Sequence, residues 1–444
     1  MRLPETPPDW WAAFARIDPQ RHAEILLAKG DASRSNRYLH WDQLKRRSPP
    51  AGLSTEEWWF ATKFSRLSGR RSLSLTSTTG QPLSFTIPDW MLRSLHQLDQ
   101  SAGGRIEGPS EVLNASSRDQ YLISSRIEEA ITSSQLEGAS TTHRIAKEML
   151  RAGRRPRDKS ERMIFNNHSA MRFVRERAGQ PLTREMLLEL HEVVARDTLE
   201  TPSAAGRFRY ADERVEVVDA YNTVLHVPPP ADQLDDRVDA LCRFANAGAD
   251  DAEFIHPVIR SILLHFMVGY DHPFVDGNGR TARALYYWSM ARHKYWMMEY
   301  VSVSSIIRKS PARYARAYLY TETDEFDATY FVDFNLRVVE QGIAQLHKYL
   351  ARKASEIRDV EALLGLIDLN HRQVALITHL LKRSSTMYTI EGHRGSHNTS
   401  YETARTDLQR LEQLGVLASI KRGRAFVYRP VRNYESVLRK LAVE

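Results

Sequence analysis

Apolar side chains recur at helical spacing through residues 254–270, where a position every three or four residues is apolar. The positions that carry this pattern are Ile255, Ile259, Ile262, Leu263, Phe266 and Met267. Residues 280–292 again have a composition that suits a helix. The pattern therefore predicts two helices joined by a short loop.

In two other stretches, apolar and polar side chains alternate at every second residue, as in a strand. Val215 and Val217 alternate with charged neighbours, and the pair Tyr221-Asn222 suits the tip of a hairpin. Residues 72–87 alternate around Gly80 in the same way. We expect a β-hairpin at each place, the second within an N-terminal segment of residues 1–105 that has no assigned task.

The C-terminal residues predict a small α+β module. Residues 371–382 suit an amphipathic helix, and a leucine stripe follows between Ser400, a candidate N-cap, and Gly415, a candidate C-cap. Two short strands are expected around the basic run 421–424. The leucine stripe consists of Leu408, Leu411, Leu414 and Leu417. The basic positions expected to be exposed are Arg405, Arg410, Lys421, Arg422 and Arg424. The arrangement resembles a winged helix-turn-helix, whose partner is either DNA or another protein.

Composition favours an intracellular protein of two or three domains. The chain has 444 residues, of which 42% are apolar, and its lone cysteine, Cys242, excludes an intramolecular disulfide. The first residues lack the apolar run of a secretion signal, and no stretch reaches membrane-spanning length. We therefore expect a cytoplasmic protein without a membrane partner. The net charge of +7 is modest for this length and is equally explained by an evenly solvated surface.

The loop between the two predicted helices holds a set of groups suited to phosphate chemistry. Gly277 and Gly279 can turn successive backbone N–H groups inward as an anion nest. A helix that begins near Arg280 would point its N-terminus at the same anion, with Arg280 and Arg283 on one face above it. This arrangement predicts a site for nucleotide phosphates.

Two further side chains of this loop suggest group transfer. Asp276 is an oxygen ligand suited to Mg²⁺, and His272 can accept a proton from an attacking hydroxyl. Each residue also has a structural interpretation, because Asp-Gly-Asn-Gly is good turn chemistry and His-Pro is common where a helix meets a loop. Their joint occurrence favours transfer of a phosphorus group.

Residues 272–283, His-Pro-Phe-Val-Asp-Gly-Asn-Gly-Arg-Thr-Ala-Arg, match without departure the signature of the Fic (filamentation induced by cAMP) family. The resemblance implies a protein adenylyltransferase in which His272 is the general base and Asp276 holds Mg²⁺ between the α- and β-phosphates of ATP. It further implies that Gly277, Asn278 and Gly279 cradle the α- and β-phosphates. In the same resemblance Arg280 and Arg283 take the outer phosphates and Phe274 anchors the loop.

A second motif lies far upstream. Ser133, Glu137 and Gly138 resemble the inhibitory pattern Ser/Thr-x-x-x-Glu-Gly/Asn of the same family. A helix that ends at Glu137 with Gly138 as its left-handed cap is the structural alternative. The resemblance implies that Glu137 pairs with Arg283, so that ATP binds in an unproductive pose.

The resemblance also implies a fold and a domain order. The fold is mainly α, with an all-helical core, a small hairpin flap and the C-terminal winged module. In the family the flap, here Val215, Glu216 and Val217, aligns the target by strand addition. The expected segments are 1–105, a leader; 106–182, helical with the inhibitory motif; 183–350, the catalytic core; and 351–444, the winged module.

Several functions remain open at this stage. The favoured function is an autoinhibited enzyme that moves AMP from ATP to a Ser, Thr or Tyr hydroxyl of a protein target, with the chain itself included among the targets. Removal of AMP and use of another nucleotide donor are alternatives within the same site. A DNA-binding regulator that senses a nucleotide is the alternative of another class, although His272 would serve no purpose there. A homodimer is a further expectation.

Overall fold

The computed structural model describes residues 2–27, 38–103, 115–219, 221–248, 254–365, 367–382, 386–422 and 425–442. The chain divides into two compact units. The first unit comprises Met1–Arg105 and Ser124–Ile343, and the second comprises Ile106–Ile123 and Ala344–Glu444. The predicted mainly α fold is confirmed.

Helices make up most of the first unit. They are α1 (Trp10–Ala15), α2 (His22–Leu27), α3 (Trp41–Leu44), α4 (Thr55–Leu67), α5 (Asp89–Leu98), α7 (His143–Ala152), α8 (Lys159–Glu176), α9 (Arg184–Ala195), α10 (Leu234–Asn246), α11 (Pro257–Asp271), α12 (Asn278–Arg292), α13 (Val303–Ile307) and α14 (Pro311–Thr323). Two further helices, α6 (Ala115–Leu136) and α15 (Thr329–Leu364), each contain residues of both units.

Helix α11 lies at the centre of this unit because it is apolar around most of its circumference. Nearly all its residues are buried, and α10 and α12 pack against it. The His256 side chain and Pro257 define its start, where the His256 ring accepts the Val258 N–H. The predicted helices at 254–270 and 280–292 are thus confirmed, with starts at Pro257 and Asn278.

The N-terminal hairpin is present where the alternation predicted it. Strands β1 (Arg71–Thr76) and β2 (Pro82–Phe85) pair antiparallel, and Gly80 has a φ of +79° in their turn. Trp58 and Trp59 of α4 are buried, whereas Trp11 of α1 is 61% exposed.

The second hairpin, which we call the flap, differs in part from its prediction. Its strands are β3 (Val217–Val218) and β4 (Val224–His226), joined by a turn in which Asn222 has a φ of +59°. The strand expected at residues 214–217 was misplaced, because Val215 and Glu216 precede the paired residues. The flap tip at Tyr221-Asn222 is confirmed.

The second unit contains α16 (His371–Lys382), α17 (Ile390–His397), α18 (Tyr401–Gln413) and α19 (Tyr434–Leu441). Its sheet has the order β5-β7-β6, with β5 (Tyr388–Thr389), β6 (Leu417–Arg422) and β7 (Ala425–Pro430). Ser400 caps α18 as predicted, and Gly415 has a φ of +72° just beyond its end. Leu417, which was expected in the leucine stripe of this helix, lies in β6 instead, because α18 ends at Gln413. The predicted turn residues Gly423 and Arg424 lie outside the described residues.

Candidate functional site

The candidate site begins where α11 ends. His272 closes this helix in the left-handed conformation, with a φ of +43°, and its N–H still donates to the Val268 carbonyl at 3.2 Å. A left-handed backbone at a non-glycine residue costs free energy and needs support from its surroundings. It turns the chain sharply from α11 into the loop that leads to α12.

The His272 ring is held in one tautomer. Its Nδ1 lies 2.6 Å from the Gly269 carbonyl oxygen, which can only accept, so the proton stays on Nδ1. The lone pair then remains on Nε2. Burial lowers the pKa of His272, the hydrogen bond to Gly269 opposes that effect, and the ring is neutral near pH 7. His272 is thus prepared to accept a proton through Nε2.

Phe274 and Asn278 close the loop on itself. The Phe274 N–H donates to Asn278 Oδ1 at 2.9 Å, and Asn278 Nδ2 donates to the Phe274 carbonyl at 2.7 Å. Phe274 is fully buried. Both polar atoms of the Asn278 side chain are therefore bonded to the backbone of Phe274. The group of Asn278 that could bind a phosphate is its main-chain N–H, at the start of α12.

His191 of α9 supports the loop from below, and the sequence analysis did not single it out. Its ring stacks on Phe274 with centroids 3.7 Å apart and planes 6° apart. Nε2 donates to the Asp276 carbonyl at 2.9 Å, while Nδ1 accepts the Gly206 N–H at 3.1 Å. Burial lowers the pKa of His191 to about 4, so the ring stays neutral and keeps this tautomer.

Arg209 is a second residue that the sequence analysis did not assign. Its Nε donates to the His272 carbonyl at 2.9 Å, and its Nη2 donates to the Pro229 carbonyl. The Arg209 N–H donates to the Pro273 carbonyl at 2.9 Å. The bonds to His272 and Pro273 satisfy carbonyls just beyond the C-terminus of α11, where helix geometry leaves acceptors without intrahelical partners, and the bond to Pro229 joins the same guanidinium to the segment after β4.

The N-terminus of α12 forms an anion cradle. Gly277 has a φ of +86° as its N-cap, so the first N–H groups of the helix point outward without intrahelical partners. The Asp276 side chain is half exposed beside this cradle, and its Oδ1 accepts the Gly277 N–H at 2.5 Å. The helix dipole and the free N–H groups favour a negative group here.

Arg280 places an incompletely paired cation in the same place. The side chain is fully buried, and Nη1 donates to the Val194 carbonyl at 3.2 Å. Within the part of the chain that the structure describes, its Nε and Nη2 have no hydrogen-bond partner. Nη2 lies 3.7 Å from Asp276 Oδ1, beyond hydrogen-bond distance. Since unsatisfied N–H groups of a buried guanidinium are costly, this arrangement suits an anionic ligand that supplies the missing acceptors.

Arg283 is instead bound by the upstream motif through Nε and Nη2. Its Nε donates to Ser133 Oγ at 2.8 Å, and its Nη2 donates to the Ser133 carbonyl at 3.0 Å and to Glu137 Oε1 at 2.8 Å. The pairing expected between Glu137 and Arg283 is present. Burial acts to raise the pKa of Glu137, but Arg283 outweighs that effect and the net shift is downward, so the carboxylate is charged.

Glu137 also occupies the cradle itself. A Cβ at residue 279 would overlap Glu137 Oε1, so the carboxylate rests directly against the backbone of Gly279 in the first turn of α12. Gly138 has a φ of +89° and lets the chain turn away after α6. The carboxylate therefore takes the position that an anionic ligand would use.

Helix α6 is fixed to the rest of the first unit upstream of Glu137. The buried Glu129 accepts the Ser302 hydroxyl at 2.8 Å and the Ser304 N–H at 3.0 Å. Ile127 and Ile131 pack in one cluster with Met163 and Ile164. The docked helix thus holds Glu137 at Arg283 without an external partner.

Tyr314 and Tyr318 of α14 lie beside α11. His265 Nε2 is 2.8 Å from the Tyr314 hydroxyl, and the two tyrosine hydroxyls are 3.4 Å apart. Both rings are half-buried. Burial raises the pKa of both hydroxyls, which keeps them protonated.

The donor set fits Mg²⁺ as a partner of nucleotide phosphates. Within the described ranges no cluster of three or more His, Cys, Asp or Glu could hold a metal ion by itself. Mg²⁺ is commonly bound through one or two carboxylates together with substrate phosphates and water. The half-exposed carboxylate of Asp276, next to the cradle, meets that requirement.

Comparison with known proteins agrees with this geometry. Residues 181–290 match the sequence profile of the Fic/DOC family. A protein named protein adenylyltransferase Fic from Nematostella vectensis is 35% identical over 107 residues, which cover 24% of this chain and 22% of that protein. Protein adenylyltransferase fic-1 from Caenorhabditis elegans is 27% identical over 208 residues, 46% of this chain and 38% of that protein.

A solved structure gives the same fold. A Fic family protein from Desulfovibrio desulfuricans superposes with a TM-score of 0.51 at 20% identity, over 77% of this chain and 95% of that one. The similarity to the Fic/DOC family thus lies in residues 181–290, which contain the signature that the sequence resemblance rests on. It spans 22% and 38% of the length of the two relatives.

The described helices include none that is both long and apolar enough to span a membrane.

Proposed function

We propose that this chain is an autoinhibited protein adenylyltransferase that transfers AMP from ATP to a Ser, Thr or Tyr hydroxyl of a target protein. The observation that carries the proposal is the Glu137 carboxylate, which is paired with Arg283 in an anion cradle beside a neutral histidine. The names of the two relatives support the same reaction class.

The proposed reaction is a single displacement at the α-phosphorus. The target hydroxyl oxygen bonds to the α-phosphorus while the bond from that phosphorus to the oxygen bridging to the β-phosphate breaks, and pyrophosphate leaves. His272 Nε2 accepts the hydroxyl proton. Arg280 and the N–H groups at the start of α12 would stabilise the charge that develops on the phosphate oxygens.

Asp276 would hold Mg²⁺ on the phosphates in this proposal. The ion neutralises phosphate charge and orients the leaving group when it is bound. Asn278 and Gly279 would contribute backbone N–H groups, and the Gly277 N–H would join them when Asp276 Oδ1 turns from it to the ion. Phe274 would keep the loop in place.

Inhibition would follow from competition between two anions for one cation. While Glu137 holds Arg283, that arginine cannot bind the γ-phosphate, so ATP would sit in an unproductive pose. Loss of the carboxylate would return Arg283 to the nucleotide. Ser133 would still orient the guanidinium, because its hydroxyl and carbonyl both accept from it.

The flap would align the target next to His272. Val218, Tyr221 and Val224 are exposed on this two-stranded hairpin, and an extended target segment could add to its edge. Val215, Glu216 and Val217, predicted to position the target, precede or begin β3. Their contact with a target segment stays part of the proposal.

The test compares three forms of the full chain: wild type, Glu137→Gly, and Glu137→Gly with His272→Ala. Each is incubated with Mg²⁺ and ATP labelled at the α-phosphate, and label bound covalently to protein is measured, including label on the chain itself. We expect label with the single variant and its loss in the double variant. Equal labelling by wild type and Glu137→Gly would contradict inhibition by Glu137.

Two other outcomes would point to the alternatives within the same site. No label with ATP, but label with another nucleotide carrying a labelled phosphate, would indicate a different donor. Release of AMP from a modified protein by the wild type would indicate the reverse reaction, with Glu137 positioning water. A nucleotide sensor would bind ATP and yet be indifferent to His272→Ala in every assay.

DNA is a second proposed partner, through the C-terminal module. Residues 367–444 contain thirteen Lys or Arg and seven Asp or Glu, so they hold +6 of the net charge of +7. Helices α17 and α18 are joined by a short turn at Asn398, and Arg405, Arg410 and Lys421 are exposed. The charge and the helix pair together suit a phosphate backbone.

Salt dependence of duplex binding by the full chain tests this partner. Phosphate contacts predict an affinity that falls steeply with salt, and Arg405→Ala with Lys421→Ala should reduce the slope by roughly one for each contact removed. The matched control is Arg172→Ala, an exposed arginine of the first unit. Affinity that is insensitive to salt would assign the module to a protein partner instead.

A homodimer and a cytoplasmic location stay predictions from the sequence. Sedimentation of the full chain over a range of concentrations tests the first, and fractionation of cells that express it tests the second.

A further inference from the structure

His226 joins the flap to the end of α11. It is the last residue of β4, and its ring packs on Tyr270 with centroids 4.7 Å apart. Its Nδ1 lies 2.8 Å from Glu322 Oε2 of α14, and its Nε2 lies 2.7 Å from the Tyr270 carbonyl oxygen. Tyr270 stands two residues before His272, so this contact is next to the proposed base.

Both partners of the His226 ring can only accept a hydrogen bond. A carboxylate and a carbonyl oxygen carry no proton, and a neutral imidazole has one N–H to donate. Two donated bonds therefore require the doubly protonated ring. A cation also suits this place, because the C-terminal end of α11 carries partial negative charge.

We propose that His226, as an imidazolium, is a positioning residue that fixes the flap to the catalytic end of α11. The proposal rests on the proposed function, in which the flap aligns the target beside His272. Loss of the second proton would release one of the two bonds and loosen the flap.

The charged groups that face His226 agree with a protonated ring. Glu322 approaches from α14 and Asp271 from the end of α11, and both carboxylates favour the imidazolium, whereas the nearby His272 is neutral near pH 7. Burial acts to lower the pKa of His226, but the hydrogen bond and charge of Glu322 outweigh it, and the net shift is upward. Asp271 contributes less below pH 6, since burial raises its pKa to about 6.

The direction of the pH dependence follows from these shifts. The folded pKa of His226 is above its unfolded value, so its contribution is complete below the unfolded pKa and is lost as pH rises through the folded pKa. His272 acts oppositely, because the proposed base must be unprotonated. We therefore expect His272 to set the acid limb of AMP transfer and His226 to set the alkaline limb.

The first test measures the protonation of the His226 ring and needs no activity assay. The full chain is labelled with ¹⁵N-histidine, and the protonation of both nitrogens is followed by NMR across pH; comparison with His226→Asn assigns the signal. We expect both His226 nitrogens protonated at pH 7. Glu322→Gln should lower the pKa by about one unit, a tenfold change in the protonation constant. His191, neutral at this pH, serves as the internal reference.

A His226 ring that is neutral at pH 7, or unmoved by Glu322→Gln, would overturn the inference. If His226→Asn does not fold, the effect of Glu322→Gln on the histidine spectrum still decides between these outcomes. The matched control, Asp212→Asn, changes an exposed carboxylate ahead of the flap and should leave the His226 signal in place.

The second test separates this inference from the proposed reaction. AMP transfer is measured against pH in the Glu137→Gly background, with and without Glu322→Gln. We expect Glu322→Gln to move the alkaline limb to lower pH, to raise KM for the target, and to leave the acid limb unchanged. An unmoved alkaline limb would contradict the role of His226, whereas no transfer in any form would contradict the proposed function while the NMR result still stands.

Discussion

Single residues of the site are held in one protonation state by the backbone around them. The Gly269 carbonyl fixes the proton of His272 on Nδ1, and the two bonds of His191 fix the opposite tautomer. These are carbonyl and N–H contacts, so they depend on how the chain folds and not on a charged neighbour. The chemistry proposed for His272 therefore depends on residues that would never touch a substrate.

His191→Phe tests that dependence. Phenylalanine keeps the stack on Phe274 but removes the donor to the Asp276 carbonyl and the acceptor of the Gly206 N–H. Buried groups left unpaired cost about 1–3 kcal/mol each. We expect a lower free energy of unfolding in urea and, in the Glu137→Gly background, roughly tenfold or greater loss of AMP transfer through the displaced loop.

The control for this variant is His347→Phe, at an exposed position of α15. It should change neither the unfolding free energy nor AMP transfer. Full activity of His191→Phe would mean that Phe274 and Asn278 hold the loop without help from α9.

At the scale of elements, the sequence predicted the helices whose apolar pattern repeats over many residues. Helix α11 has an apolar pattern over its whole length, and the starts of α11 and α12 follow from Pro257 and Gly277. The flap strand was misplaced because its alternation covered four residues. Arg207 binds the Glu213 carboxylate through Nη1 and Nη2, at 2.7 and 2.6 Å, just ahead of the residues where the strand was expected.

The candidate site was predictable only where its residues are contiguous or form a motif. Residues 272–283 and Glu137 carry side-chain chemistry that a sequence displays. Arg209 and His191 act on backbone carbonyls of residues 63 and 85 positions away in the chain, and such contacts leave no pattern in the sequence. Only the folded chain reveals them.

At the scale of the whole first unit, the N-terminal residues support the site. The Thr78 N–H donates to the Tyr270 hydroxyl at 3.0 Å, and Ser84 bonds with the backbone on both sides of Asp327. Arg237 bridges Asp271 and the Thr76 carbonyl, at 2.7 and 2.6 Å. The hairpin β1–β2 is therefore joined to the residues that precede His272.

A buried ion network makes the same connection through α4. Lys63 is 3% exposed and lies 2.7 Å from Asp324 Oδ1 and 3.3 Å from Glu325 Oε2. Glu325 and Phe326 both have a φ of +55°, and the Phe326 ring lies 4.9 Å from Tyr270. The strained loop after α14 is thus held by Lys63 on one side and packs on the end of α11 on the other.

Lys63→Met should show that this connection reaches the site. Methionine fills the space but leaves the buried Asp324 without its main counter-charge, which costs about 3–5 kcal/mol. Burial acts to raise the pKa of Asp324, and Lys63 and Arg66 outweigh it, so this carboxylate stabilises the fold above its unfolded pKa and that contribution is lost as pH falls. The variant should therefore unfold at a higher pH on acidification.

Lys63→Met should also lose AMP transfer in the Glu137→Gly background, whereas the exposed control Lys309→Met should match its parent. An acid midpoint and a transfer rate equal to those of the parent would mean that the N-terminal residues pack beside the site without supporting it.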